Sequence, residues 1–182
     1  MSSMCSLQRA LWPLSHLCGG WRAAILRDGK TMTPFDRMQR FVGVPLERPG
    51  PEQNHPLISW WFELCGYAPN TPDEVPWCSV CLNGICWDLR LPRSKSAAAR
   101  SWLGVGTVVL AHEAIVGYDV VVLQRGAGAQ PGPEVLAAPG HVGLYAGREG
   151  DRILVLGGNQ GNAVSVAPFP IERVLGIRRL RG

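Results

Sequence analysis

Charge is scarce in this 182-residue chain, with only 18% of residues charged, and uninterrupted apolar runs are missing. The most apolar region, Thr107 to Leu123, is broken by His112, Glu113 and Asp119. A bilayer span needs roughly 20 apolar residues, so no integral membrane segment is expected. Lysine is nearly absent: of 18 basic side chains only Lys30 and Lys95 are lysines. The net charge of +4 gathers at the two ends, where Arg9, Arg22, Arg27 and Lys30 face Asp28, and Arg173, Arg178, Arg179 and Arg181 face Glu172. Without a dense basic face interleaved with aromatics, nucleic acid is not an expected partner. Neither G-x-G-x-x-G nor G-x-x-x-x-G-K-[ST] occurs, which removes the common phosphate-cradling loops. Six cysteines are too few for a disulfide scaffold. A secretory signal is also wanting, because Pro13, Ser15 and His16 interrupt Ala10 to Leu17 and no small-x-small site follows. Synthesis in the cytoplasm is therefore expected.

What is present is an apolar fraction of 46%, enough for a core, together with 22 glycines and 15 prolines. That combination predicts one loop-rich domain rather than a helical bundle or a disordered chain. Residues 1–32 have no sustained period and are expected to form a poorly structured extension to a domain over 33–182.

Thr33 followed by Pro34 forms a helix start, and Phe35, Met38, Phe41 and Val42 supply one apolar face, predicting a helix from Thr33 to about Val42. Pro45 to Pro56 reads as a loop and Leu57 to Tyr67 as a second helix. Trp77 to about Leu89 places Cys78, Cys81, Leu82, Ile85, Cys86 and Leu89 on one face and is expected to be the most buried helix. Ser96 to Leu103 completes the helical part. The period then changes to two, predicting strands at Asp119 to Gln124, His141 to Ala146, Arg152 to Leu156, Ala163 to Val166 and Val174 to Arg178. Turns are expected at Gly147 to Asp151, Gly157 to Asn162 and Ala167 to Pro170. The glycine- and proline-rich stretch Arg125 to Gly140 is long for a structureless connection and reads as a lid or rim loop. Helices first and strands afterwards predict an α+β fold, with N-terminal helices packed on a small antiparallel sheet.

Cys78 falls in the first turn of the third helix, where free backbone amides and the helix dipole favour thiolate over thiol and can also hold an oxyanion. Spacing alone equally allows a small core residue. His141 follows Pro139-Gly140 at the head of a strand and is the best-placed base. His16 lies in the extension, His55 in the proline-rich loop, and His112 reads as structural. Asn159, in the turn after the next strand, is the candidate to orient His141. Against this stands a thiolate metal site on Cys65, Cys78, Cys81 and Cys86, disfavoured because the last three share one apolar helical face.

The segments Asp73-Glu74-Val75-Pro76-Trp77-Cys78-Ser79, Ala98-Ala99-Arg100-Ser101-Trp102-Leu103, Gly140-His141-Val142-Gly143-Leu144-Tyr145 and Ile153-Leu154-Val155-Leu156-Gly157-Gly158-Asn159-Gln160 occur in order. Together, from about Phe35 to Arg179, they resemble the NlpC/P60 and CHAP group of papain-like cysteine peptidases and amidases, closest to the small phage-type cell-wall hydrolases. The resemblance implies a papain-like fold in which Cys78 is the nucleophile, His141 the general base and Asn159 the third polar residue. It implies hydrolysis of an amide or peptide bond of peptidoglycan by a monomer that needs no cofactor and acts at the cell wall after release or export. Trp77, Trp102 and Trp61 are then candidates to line the groove, since indole faces suit sugar rings. The alternatives are an antibacterial amidase toxin of the same fold and a non-catalytic wall-binding module.

Overall fold

The computed structural model describes residues 31–44, 46 and 54–181. The extension expected over residues 1–32, with His16, Cys5 and Cys18, lies outside the described residues except for its last two positions, as does most of the Pro45–Pro56 loop.

Three helices precede the sheet: α1 (Pro34–Gln39), α2 (Pro56–Glu63) and α3 (Cys78–Asp88). In α1 the Thr33 side chain accepts from the Asp36 amide while the Asp36 carboxylate accepts from the Thr33 amide, so two orphan donors are satisfied reciprocally. The helix is shorter than its apolar spacing predicts, because Phe41 already lies in a turn and Val42 forms a parallel bridge with Val164. His55 caps α2, its Nδ1 accepting from the Leu57 amide, and Pro56 occupies the first helical position, where its missing N–H costs nothing. In α3 every residue from Cys78 to Cys86 is buried, so it is the central helix the sequence points to. Gly84 in its middle is required by packing: a Cβ there would collide with the Trp61 indole of α2. The Ser96–Leu103 segment is a 3-10 helix over Ala99–Gly104.

Six strands follow: β1 (Thr107–Val109), β2 (Asp119–Gln124), β3 (Gly140–Glu149), β4 (Arg152–Gly157), β5 (Ser165–Pro170) and β6 (Val174–Arg179). They form one sheet in the order β1-β6-β2-β3-β4-β5, with every neighbouring pair antiparallel. The fold is therefore α+β. Two expectations are corrected. The turn expected at Ala167–Pro170 is strand: β5 lies at the sheet edge, where prolines 168 and 170 can stand without breaking a central ladder. Thr107–Val109 is an additional edge strand, too short and too exposed to carry a readable period.

Alternation along the strands divides the core. Val120, Val122, Val142, Leu144 and Leu156 pack with the helices around Trp61, Trp77 and Trp102. Val121, Leu123, Val155, Ile153 and Ile177 pack on the opposite face with Phe169 and Tyr145. Asp119, fully buried, is gripped by Arg179 through two 2.7 Å hydrogen bonds, which tie β2 to β6. Among the described residues no helix is long and apolar enough to cross a membrane.

Candidate active site

Strand pairing assembles the site. Leu123 near the end of β2 pairs with His141 at the start of β3 and with Val174 at the start of β6. The end of β4, Gly157, pairs with Ser165 at the start of β5. Residues distant in sequence, Arg125, His141, Gln160 and Arg173, are thus delivered to one end of the sheet. There they line a pocket of about 330 Å³ together with Gln124 and Phe169.

The first residue of α3, Cys78, reaches the same end from the helical side. The turn after β4 admits it because Gly158 has no side chain: a Cβ there would stand 2.5 Å from the Trp77 ring and 3.0 Å from Cys81 Cβ. The Cys78 thiol meets the backbone amides of Val142, Ser79 and Cys78, so it lies beside the residue that follows His141. Cys78 is 2% exposed, and burial pushes its thiol up. The Val142 amide, the Arg125 guanidinium and the helix amides pull it down, but burial prevails and the group is a neutral thiol. It does not itself line the pocket; His141 is the member of the pair that does.

His141 is 7% exposed and its ring stacks on Phe169 with centroids 5.4 Å apart and planes at 30°. Burial, then the Arg125 cation, push its imidazole down to about 4, against the pull of the Gln160 side chain. It is therefore neutral at pH 7.

The polar group beside the imidazole is Gln160, one residue beyond the Asn159 expected from the sequence. Gln160 Nε2 donates to the carbonyls of Ser165, Gly157 and Val155 at 2.6, 3.0 and 3.2 Å. This fixes the amide and leaves Oε1 buried without a hydrogen bond, as His141 Nε2 also is. The two side chains meet over Gly157, where a Cβ would lie 3.1 Å from Gln160 Nε2 and 3.2 Å from His141 Nε2. Asn159 lines the pocket and takes the left-handed conformation, φ 56°, that reverses the chain. Both Asn159 and Gln160 line the pocket, and Gln160 is the amide beside the imidazole.

The three tryptophans proposed for the groove are core residues. Trp77 and Trp102 are fully buried, Trp61 nearly so, and none lines the pocket. Trp102 Nε1 donates 2.9 Å to Ser79 Oγ, which donates 2.6 Å to the Ser96 carbonyl, anchoring the 3-10 helix to α3. Cys81 and Cys86 are buried core thiols, raised by burial, and Cys65 is half-buried at about 11. His112 is exposed in a 3-10 turn.

The loop between β2 and β3 is held by Arg100, whose role no local sequence pattern reveals. Arg100, fully buried, donates through Nε to the Pro139 carbonyl at 3.0 Å and through Nη1 to Gly132 and Pro131 at 2.7 and 3.0 Å. Pro139 is two residues before His141, so the clamp also fixes the entry to β3.

Comparison with known proteins adds no family: no protein-family model matches the chain, and no curated protein does.

Proposed function

We propose that this protein is a papain-like cysteine hydrolase of the NlpC/P60 and CHAP kind, cleaving an amide or peptide bond of bacterial peptidoglycan. The observation that carries the reading is the placement of the Cys78 thiol at the head of α3, among the Cys78, Ser79 and Val142 amides and next to the strand start occupied by His141. A neutral thiol and a neutral imidazole favour general-base catalysis over a preformed ion pair. His141 takes the thiol proton as sulfur bonds to the scissile carbonyl carbon, and backbone amides at the helix start receive the oxyanion. The C–N bond then breaks as the imidazolium returns the proton to the leaving amine. Water, deprotonated by His141, next releases the acyl group as a carboxylic acid and restores the thiol. Gln160 holds the imidazole orientation and supports its charged form between the two transfers. The enzyme is made in the cytoplasm and acts at the wall after release or export.

Replacement of Cys78 by Ala is expected to abolish release of new amino groups from purified peptidoglycan while leaving the melting temperature near that of the parent. Undiminished release would refute the assignment. A second reading, a wall-binding module that keeps the fold without catalysis, is favoured by the covered thiol at 2% exposure. It predicts no release by either protein and equal retention of both on the wall.

A further inference from the structure

The pocket beside His141 has an unbalanced lining. Arg125 follows the end of β2 and Arg173 precedes β6, and the pairing of Leu123 with Val174 sets them at the same sheet end. Both line the pocket, and no Asp or Glu does. Neither guanidinium makes a hydrogen bond or ion pair with any described residue. By contrast Arg37, Arg100, Arg178 and Arg179 are each held by a carboxylate or by backbone carbonyls. The charge of Arg125 is felt at both Cys78 and His141, so it faces the reacting pair rather than open solvent alone. The remaining lining is neutral and polar, with Gln124, Asn159 and Ser165, apart from the Phe169 ring. Another cavity, of about 490 Å³ at the end of α3, includes Asp88, whose carboxylate is paired with Arg37.

Arg125, which is exposed, and Arg173 thus place two positive charges on the lining of one pocket, and the Arg125 charge opposes protonation of the adjacent imidazole. A bound anion would offset that charge. Guanidinium forks match carboxylates in two-point geometry, and a pocket of this volume admits about one or two amino-acid residues. We infer that Arg125 and Arg173 form a carboxylate-binding subsite, so that the substrate is a peptide carrying a free carboxylate within a residue or two of the scissile bond. This rests on the hydrolase reading and narrows its substrate to acidic peptides; a terminal carboxylate and an acidic side chain share the chemistry, and separately amidated peptides distinguish them.

The test uses the full-length protein and synthetic stem peptides in matched pairs, one with free carboxylates and one with either the terminal or the side-chain carboxylate converted to carboxamide. The expected result is a kcat/KM at least about tenfold higher for the acid than for one of the amides, as loss of a charge-assisted hydrogen bond implies. In the R125Q/R173Q double variant that ratio falls to near one. Because the readout is a ratio, a general loss of activity does not imitate it. A wild-type ratio near one, or a double variant that keeps the preference, overturns the inference. Binding of the same pairs to the Cys78→Ala protein, followed by calorimetry, keeps the two readings separate. If the wild type cleaves nothing, the hydrolase reading falls. The subsite then stands where the acid binds at least about tenfold more tightly than the amide and the arginine variants lose that difference, and it falls where acid and amide bind alike.

Discussion

The helix-covered face of the sheet and the open end of the same sheet make opposite demands on their side chains. On the covered face polar atoms are few and, with Trp77 Nε1 the exception, paired: Ser79 links Trp102 to the Ser96 carbonyl, and the Asn83 side-chain amide donates to the Ser79 carbonyl at 2.9 Å. At the open end, His141 Nε2 and Gln160 Oε1 are buried without hydrogen-bond partners, beside the exposed Arg125 and the partly exposed Arg173. The difference teaches where the fold invests in stability and where it holds groups ready for an incoming molecule. Buried polar groups left unpaired are costly and therefore mark positions kept for something other than folding.

The largest expected break of this contrast lies on the covered face. Trp102→Ala removes a fully buried indole and its hydrogen bond to Ser79, and is expected to cost about 3–5 kcal/mol in chemical denaturation. A loss below about 1 kcal/mol would place Trp102 outside the core, back among the groove candidates.

That tryptophan also shows what the sequence could convey. Caps and apolar spacing disclosed α1 to α3 because their signals are local: Thr33 with Pro34, the stretch beginning at Leu57, and the run from Cys78 to Cys86, whereas the His55 cap with Pro56 at the first helical position went unread. Period two disclosed β2, β3, β4 and β6 for the same reason. The roles of Trp61, Trp77 and Trp102 depend on contacts with Gly84, Gly158 and Ser79 on other elements, which no local pattern carries. Gln160 was hidden beside Asn159, since both line the pocket and only the approach over Gly157 decides which of two adjacent amides stands at the imidazole. Arg125 and Arg173 come together only through the register of β2 with β6. For these two, placing them beside strand ends that the sequence already predicts would have been a usable signal.

The next effect is smaller and belongs to the open end. His141 holds its imidazole at about 4, below the ordinary 6.5 of the unfolded chain. As pH falls the unfolded chain takes up this proton first, so stability present above pH 6.5 is lost as the pH drops toward 4, by up to about 3 kcal/mol. Melting temperature followed over this window should fall for the wild type, and His141→Asn should flatten that part of the curve. Under the proposed function, the acid limb of peptidoglycan hydrolysis by the wild type should lie near 4 rather than 6.5. An acid limb at 6.5 would mean that substrate or solvent rehydrates the ring.

The smallest effect discriminates neighbours. Gln160→Ala removes the group that supports the charged imidazole and should lower kcat by roughly ten- to a hundredfold, with the acid limb shifted further down. Asn159→Gly, which keeps the positive φ, should change kcat less than about threefold, consistent with a turn residue. Reversal of that order would return the orienting role to Asn159.

The clamp made by Arg100 separates two properties that a long loop usually confounds. Its hydrogen bonds fall on the Pro131, Gly132, Val135 and Pro139 carbonyls, from the middle of the loop to the approach to His141. The preceding stretch, with Gly126 and Gly128 at positive φ, is outside that grip. Under the proposed function, the stretch 126–130 can change in length and composition, and so in what it offers a substrate, without loosening the grip of Arg100 on the approach to His141.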